Sequence, residues 1–313
     1  MQNLPETGIT HLSHLGVLQI TGPDAKTFLQ GQVTCNLNNI TETESRLGTH
    51  CNLKGRMQSL FRIFLKEKEN HYYLSLPLSM VAIAQQNLKK YALFSKIELQ
   101  DVSENVARIG IYGEKAATAL ADLLQQKSLH TLPIDGCIQQ TDFVICRIPG
   151  SAPRFELYGT NEALQPIWSQ LSTQCEQSTP HLWELFDIQA GIPTVFPATV
   201  DLLLPHHVNL VAMNGISFDK GCYLGQEIIA RMHYKGNIKK HMVHAFVGET
   251  SHIPNPGDPI FVEGSRTNEA PGTVVRTSQH AMGYDLLIVI DDQYANLDGV
   301  HLGSLDGPKV MLS

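Results

Sequence analysis

Residues 214–240 hold the densest set of groups able to do chemistry in this sequence. Asn214 and Gly215-Ile216-Ser217-Phe218 lead into Asp219-Lys220-Gly221-Cys222-Tyr223-Leu224-Gly225. From Gln226 to Met232 the pattern predicts a short helix. Gly221 and Gly225 frame Cys222, as where backbone bends sharply or lies close to a ligand. Cys222 also precedes a helix N-terminus and stands two residues from Lys220. Both features favour thiolate over thiol. A thiolate there would serve as nucleophile, redox sensor or metal ligand. A lone cysteine is otherwise a small buried packing residue, and spacing alone leaves both readings open.

The other candidates are weaker. The six cysteines fall at 35, 51, 137, 146, 175 and 222. None forms a Cys-x-x-Cys pair, which argues against a closed zinc site and a thioredoxin-type redox pair. A chain this long and cysteine-poor is not a disulfide scaffold, so free and mostly buried thiols are expected. No second Cys or His lies at ligand spacing from Cys222. His206 and His207 are adjacent, and adjacent residues rarely share one metal. His233 reaches Cys222 only if the fold brings it there, so a Cys–His hydrolase has little support. Neither a P-loop nor a dinucleotide glycine fingerprint occurs.

Charge narrows the partners. Lys and Arg number 23 against 30 Asp and Glu, a net charge of −7. Such a balance argues against a chain that coats nucleic acid through its overall field. Two local zones are cationic. Residues 45–66 carry Arg46, Lys54, Arg56, Arg62 and Lys66 and no acid. Residues 219–244 carry Lys220, Arg231, Lys235, Lys239 and Lys240 against Asp219 and Glu227. They suit a defined anionic ligand, although any single lysine reads as solvated surface. No apolar run approaches the ~20 residues of a membrane span. Residues 1–6 lack the basic start and apolar core of a secretory signal, so a cytoplasmic location is expected.

These groups need a scaffold, and the apolar pattern predicts a mixed α and β one of two or three domains. Phe61, Ile63 and Leu65 alternate with Arg62, Phe64 and Lys66 as a strand does, and Tyr72, Leu74 and Leu76 repeat that pattern. Met80, Ile83, Ala84, Leu88 and Tyr91 recur at helical spacing. Ile97 and Leu99 open a further strand. A second α+β lobe follows. It has a strand at Ile109 and Ile111, an Ala- and Leu-rich helix over 115–126, strands over 141–148 and 154–159, and a helix faced by Leu164, Ile167, Trp168 and Leu171. Leu182, Leu185 and Phe186 start another helix whose stripe reaches Gln189, and Gly191 and Pro193 stop it. A polar amide ending an apolar stripe calls for a buried partner, either a structural hydrogen bond or a ligand. From 241 onward, Gly and Pro punctuate short β-rich runs such as 273–275 and 287–290, which reads as a small barrel.

The segments that carry these groups closely resemble the YgfZ family, which includes mitochondrial iron–sulfur assembly proteins. The long match runs from Met213 through Lys220-Gly221-Cys222-Tyr223-Leu224-Gly225-Gln226-Glu227 to Ala230-Arg231. Gln30-Gly31-Gln32-Val33-Thr34, His50-Cys51-Asn52-Leu53-Lys54-Gly55-Arg56 and Lys90-Tyr91-Ala92-Leu93-Phe94-Ser95-Lys96 support it in family order. The resemblance implies the α+β fold of the glycine-cleavage T-protein: two ferredoxin-like α+β lobes plus a C-terminal β-barrel around a central tetrahydrofolate pocket. It places the folate-binding region in 1–240, with 46–102 as one lobe inserted in the other, and the barrel in 241–313.

The resemblance also implies a role. Family members bind tetrahydrofolate or a one-carbon derivative. They support assembly or repair of iron–sulfur enzymes, including those that thiolate tRNA, as accessory factors rather than classical enzymes. Iron–sulfur enzymes or assembly proteins are the implied partners; tRNA is a further one, and no membrane is. Cys222 with Lys220 becomes the functional thiol motif. Trp183 and Gln189 fall where relatives place folate-contacting residues. Tyr223, Gln226, Glu227, Arg231, Asn52 and Lys54 complete the implied folate set, with Lys54, Arg56 or Arg231 drawing the glutamate tail. Leu15 stands where bacterial relatives often carry a second Trp, and Gln189 keeps hydrogen bonding without a charge. Residues 74–95 contain no Asp or Glu, although true aminomethyltransferases place a catalytic Asp there. A methylene transfer needs a group that handles protons at the amine and folate nitrogens, so a T-protein activity is disfavoured. A tRNA-binding module built on the two cationic zones is the remaining alternative.

Overall fold

The computed structural model describes residues 6–66, 70–265, 270–295 and 298–313. Residues 1–5 of the segment read for a secretory signal lie outside them. The chain forms two compact units. One holds Met1–Gln30, Asn36–Leu47 and Phe61–Trp183; the other holds Gly31–Cys35, Gly48–Leu60 and Glu184–Ser313.

The first unit opens with β1 (Gly8–His11), β2 (Leu15–Thr21), α1 (Ala25–Gln32), β3 (Arg46–Cys51), β4 (Met57–Leu65), β5 (His71–Pro77), α2 (Val81–Lys89) and β6 (Glu98–Asp101). Five of these strands form a sheet in the order β3-β4-β5-β2-β6, and parts of β3 and β4 belong to the second unit. The alternation over 61–66 and 72–76 thus marks true strands, β4 and β5, paired antiparallel with Ile63 opposite Leu74. Helix α2 ends at Lys89. Tyr91, read as part of its apolar face, lies beyond it in a turn and is half-exposed. The reason is local: the Tyr91 N–H returns to the Leu88 carbonyl and tightens the chain into a turn.

A second sheet follows from β7 (Ala107–Tyr112), α3 (Ala116–Leu124), β8 (Cys137–Gln139), β9 (Phe143–Ile148), β10 (Arg154–Gly159), α4 (Asn161–Leu171) and β11 (Glu176–Gln177). Its order is β11-β1-β7-β10-β9-β8, so β8 is an edge strand. Ile9, Ile109, Ile111, Phe155 and Leu157 meet Leu120 of α3 and Leu164 and Leu171 of α4 in one core. The stripe predicted for α4 is the stripe that packs. Thr160 caps that helix by accepting from the Ala163 N–H.

The second unit contains most of α5 (Pro180–Gln189), then α6 (Gln226–Lys235), β12 (Lys240–Gly248), β13 (Pro259–Val262), β14 (Gly272–His280), β15 (Gly283–Asp291), β16 (Val300–Leu302) and β17 (Val310–Leu312). The six strands form one sheet, β16-β13-β14-β15-β12-β17, around Val247, Ile260, Val274, Leu286, Ile288 and Val310. A bridge between His301 and Lys309 brings its two edges together, so the sheet is a nearly closed barrel. The runs 273–275 and 287–290 supply β14 and β15.

A register shift between Val274 and Arg276 bulges β14. The bulge re-aims Arg276. Its guanidinium is buried and donates to Glu184 Oε2 at 2.8 Å, Asp187 Oδ2 at 2.6 Å and the Ile192 carbonyl at 3.1 Å. Burial alone would lower its pKa, but the two carboxylates outweigh that and hold it above the ordinary guanidinium value. This ion triad fixes the C-terminal half of α5 on the barrel. Gln189, expected to need a buried partner, is exposed. Glu184 and Asp187 face Arg276 and Ile188 is buried beside them, while Gln189, the last residue of α5, lies one position further round the helix and off that buried face.

Candidate functional site

The segment 214–236 folds against two short pieces of the second unit, 31–35 and 48–60. Thr34 joins all three. Its hydroxyl donates to the Gly215 carbonyl at 2.6 Å and accepts from the Thr49 N–H at 3.1 Å. Its own N–H and carbonyl engage Thr49 and Ser217. A fully buried hydroxyl with both capacities filled is a fixed point, not a mobile one.

Lys220 supplies the next tie. Its Nζ donates to the Val33 carbonyl at 2.8 Å and the Cys35 carbonyl at 2.7 Å. The same ammonium lies 5.1 Å from the centre of the Tyr223 ring. Burial pulls its pKa down to about 8. The sequence suggested Lys220 as the charge beside Cys222; the fold directs that charge at backbone carbonyls instead.

Gln226 and Gly225 set the helix start. Gln226 Oε1 accepts from the Tyr223 N–H at 3.1 Å, while the Gln226 N–H returns to the Tyr223 carbonyl. Gly225 caps α6 with a φ of 80°. A Cβ at Gly225 would lie 2.5 Å from the Asn52 carbonyl oxygen. Glycine is therefore required there by conformation and by space. Gly221 differs: a Cβ there meets nothing within 4 Å, and its φ is not left-handed. The expectation of two tight glycines around Cys222 holds for one of them only. The chain lies open on the Gly221 side, which is why no close approach demands a glycine.

Cys222 sits on this braced loop, exposed and with no hydrogen-bond partner among the described residues. It is four positions before the first residue of α6, whose cap is Gly225. The helix itself runs to Lys235, about one turn beyond the predicted end. His233, the residue considered as a base for Cys222, is stacked on Phe218 at 3.8 Å between centroids. Tyr234 meets the His233 ring edge-on at 4.9 Å, and His206 lies 6.4 Å from it. His206 is buried with neither ring nitrogen hydrogen-bonded among the described residues, and burial followed by His233 holds its pKa down at about 4. Sequence reasoning missed this ladder of rings. Its signal was the aromatic Phe218 and Tyr234 accompanying the two histidine positions.

Asn52 organises the neighbouring turn. Its Oδ1 accepts from the N–H groups of Lys54 at 2.8 Å and Arg56 at 3.1 Å, and its Nδ2 donates to Asp201 at 2.7 Å. Both acceptor positions of this side chain are thus used within the turn. Lys54 and Arg56 are exposed on that turn, and the Arg56 guanidinium donates to the Leu202 carbonyl. Glu227 and Arg231 are exposed on α6. Tyr223 is buried and its hydroxyl has no partner among the described residues. Burial raises its pKa.

Trp183 lies in the first unit and is fully buried there. The Arg154 guanidinium lies 4.8 Å from its ring centre, and Tyr112 meets it edge-on at 6.3 Å. Gly110 lies under the ring so closely that a Cβ would stand 2.6 Å from it. The indole N–H has no partner among the described residues. Among those residues no group of three or more His, Cys, Asp or Glu is arranged to hold a metal ion, and no helix is long and apolar enough to cross a membrane.

Residues 5–180 match the GCVT N-terminal domain family. The chain is 32% identical over 240 residues to a "tRNA-modifying protein YgfZ" of Colwellia psychrerythraea, covering 77% of this chain and 72% of that protein. The protein of the same name from Photobacterium profundum is 31% identical over 290 residues, covering 92% and 84%. Among solved structures, the glycine cleavage system aminomethyltransferase T from Bartonella henselae superposes with a TM-score of 0.74, covering 98% of this chain and 85% of that one. At 15% identity that likeness shows a shared fold and nothing of activity. Matched over most of its length by these relatives, and over more than half by the domain family, the chain belongs to the YgfZ family.

Proposed function

We propose that this protein is a folate-binding accessory factor that supports assembly or repair of iron–sulfur enzymes, including those that thiolate tRNA. The observation that carries the reading is the exposed thiol of Cys222, without a hydrogen-bond partner among the described residues, on a loop held at both sides by Lys220 and Gln226. A braced loop that presents a free thiol to solvent is arranged for a partner rather than for packing. The naming of its relatives as tRNA-modifying proteins supports the tRNA side of the role.

The residues of the second unit suit a folate. The buried Tyr223 hydroxyl is a polar atom left without a partner among the described residues, as a site awaiting a ligand atom would have it. Lys54 and Arg231 offer exposed cations to the glutamate carboxylates, and Gln189 offers an exposed amide to a pterin edge. Bound tetrahydrofolate would supply a carrier for a one-carbon unit. Lys220 and Asn52 are positioning residues in this reading, holding the loop and the turn. The acid-free segment 74–95 leads us to expect no methylene transfer from an aminomethylated carrier.

Two experiments test the two halves. Calorimetry with tetrahydrofolate should show binding that weakens roughly tenfold in Tyr223→Phe, the loss of one buried hydrogen bond. No heat at millimolar ligand would end the folate half. In a deletion strain, Cys222→Ser should fail to restore iron–sulfur enzyme activity and tRNA thiolation; full restoration would remove the thiol from the mechanism.

A further inference from the structure

The first unit contains a second thiol arrangement, far in sequence from the signature. Cys137 on β8 and Cys146 on β9 stand directly opposite each other, one step along the ladder from Ile138 and Ile145. Their sulfurs are 3.2 Å apart. The Cys137 N–H goes to the Thr43 carbonyl, away from Cys146, and the Arg147 N–H goes to the Gly136 carbonyl. The two cysteines therefore form a non-hydrogen-bonded cross-strand pair, the closer of the two antiparallel spacings. That spacing, about 4.5 Å between Cα atoms, lies within the span a disulfide bridges.

The surroundings are not those of two inert packing residues. Arg62 is buried beside the pair and donates to Ser45 Oγ at 2.9 Å and Asp135 Oδ1 at 2.5 Å. The hydrogen bond between the two sulfurs, with Ser45 and the Arg62 charge, outweighs burial and holds Cys137 below the ordinary thiol range. Burial pushes Cys146 above that range, and its neighbour adds to the rise. One sulfur is thus the better thiolate and the other the better proton keeper. Cys137 is buried on the short edge strand β8 under residues 42–44, so peroxide would reach it when that edge opens locally.

We propose that Cys137 and Cys146 form an oxidation site in which peroxide closes a disulfide that staples β8 to β9. The Cys137 thiolate attacks one peroxide oxygen and becomes the sulfenic acid, and hydroxide leaves. The Cys146 sulfur then attacks the Cys137 sulfur. Its proton and the sulfenic hydroxyl leave as water. The hydroxide of the first step takes up the proton that Cys137 had released, giving a second water. Two thiols and one hydrogen peroxide give one disulfide and two waters, so atoms and electrons balance.

The test uses the full chain, treated with graded hydrogen peroxide, quenched, alkylated in denaturant and cut with trypsin. Lys127 and Arg147 bound a tryptic peptide that contains both cysteines and none of the other four. That peptide should lose both alkylatable thiols together and weigh about 2 Da less than its reduced, unalkylated form. Dithiothreitol should restore both. In Cys146→Ser, Cys137 should instead accumulate as a sulfenic acid trapped by dimedone; in Cys137→Ser, Cys146 should stay a thiol. The proposal falls if the peptide keeps both thiols at peroxide levels that oxidise Cys222, or if dimedone labels Cys146 in place of Cys137. The wild-type peptide measurement stands even if either variant fails to fold.

Discussion

Lys220 Nζ donates to the carbonyl of Cys35 at 2.7 Å, across 185 residues of sequence. The bond fastens the signature loop to the segment 33–35 and makes Lys220 a brace for Cys222. Lys220→Met keeps the length of the side chain and removes both donations. It should destabilise the second unit by about 1–2 kcal/mol, measured by urea unfolding. Activity should fall with it while the Cys222 thiol stays fully alkylatable.

Gly225 and Gly221 should behave oppositely. Gly225→Ala puts a Cβ on the Asn52 carbonyl in a left-handed conformation and should cost about 2–3 kcal/mol. Gly221→Ala enters open space and should stay within about 0.5 kcal/mol of wild type. Thermal unfolding of the pair measures the contrast.

The barrel should depend on Arg276. Arg276→Met leaves Glu184 and Asp187 without the cation that both face, and should cost about 3–5 kcal/mol. The charge-removing double variant Glu184→Gln with Asp187→Asn, placed on Arg276→Met, should recover part of that loss. Equal instability in both would show that packing rather than charge is at stake.

Acid should loosen the second unit before it protonates most carboxylates. Burial is the first cause that holds His206 and His207 down at about 4 from 6.5, with His233 acting on the former and Lys240 on the latter. Between those values the unfolded chain binds protons that the folded chain does not. Stability is therefore full above pH 6.5 and falls as pH drops toward 4. Each histidine contributes a slope of up to about 1.4 kcal/mol per pH unit. His206→Leu should flatten the slope by one such share, read from urea midpoints across the window.

Much of the scaffold was legible because periodicity reports burial. The alternation at Ile63 and Leu74, the α4 stripe of Leu164 and Leu171, and the punctuated tail all mark elements that pack through those residues. The stripe failed at Gln189 and at Tyr91. Gln189 is still in α5 but turns outward beside the buried Ile188, and a tight turn ends α2 before Tyr91; periodicity carries no record of either.

The sequence by itself determined the family, through the long match around Cys222, and the mixed α+β architecture, through apolar spacing. It also marked the glycine at 225, since a short motif can fix a required backbone shape. Only the tertiary structure decided where Lys220 points, that Asn52 holds a turn, and that Cys137 faces Cys146. Those facts are pairings that sequence order does not encode. A side chain's chemistry is fixed by its type, but its partner is fixed by which strands and loops the fold lays side by side.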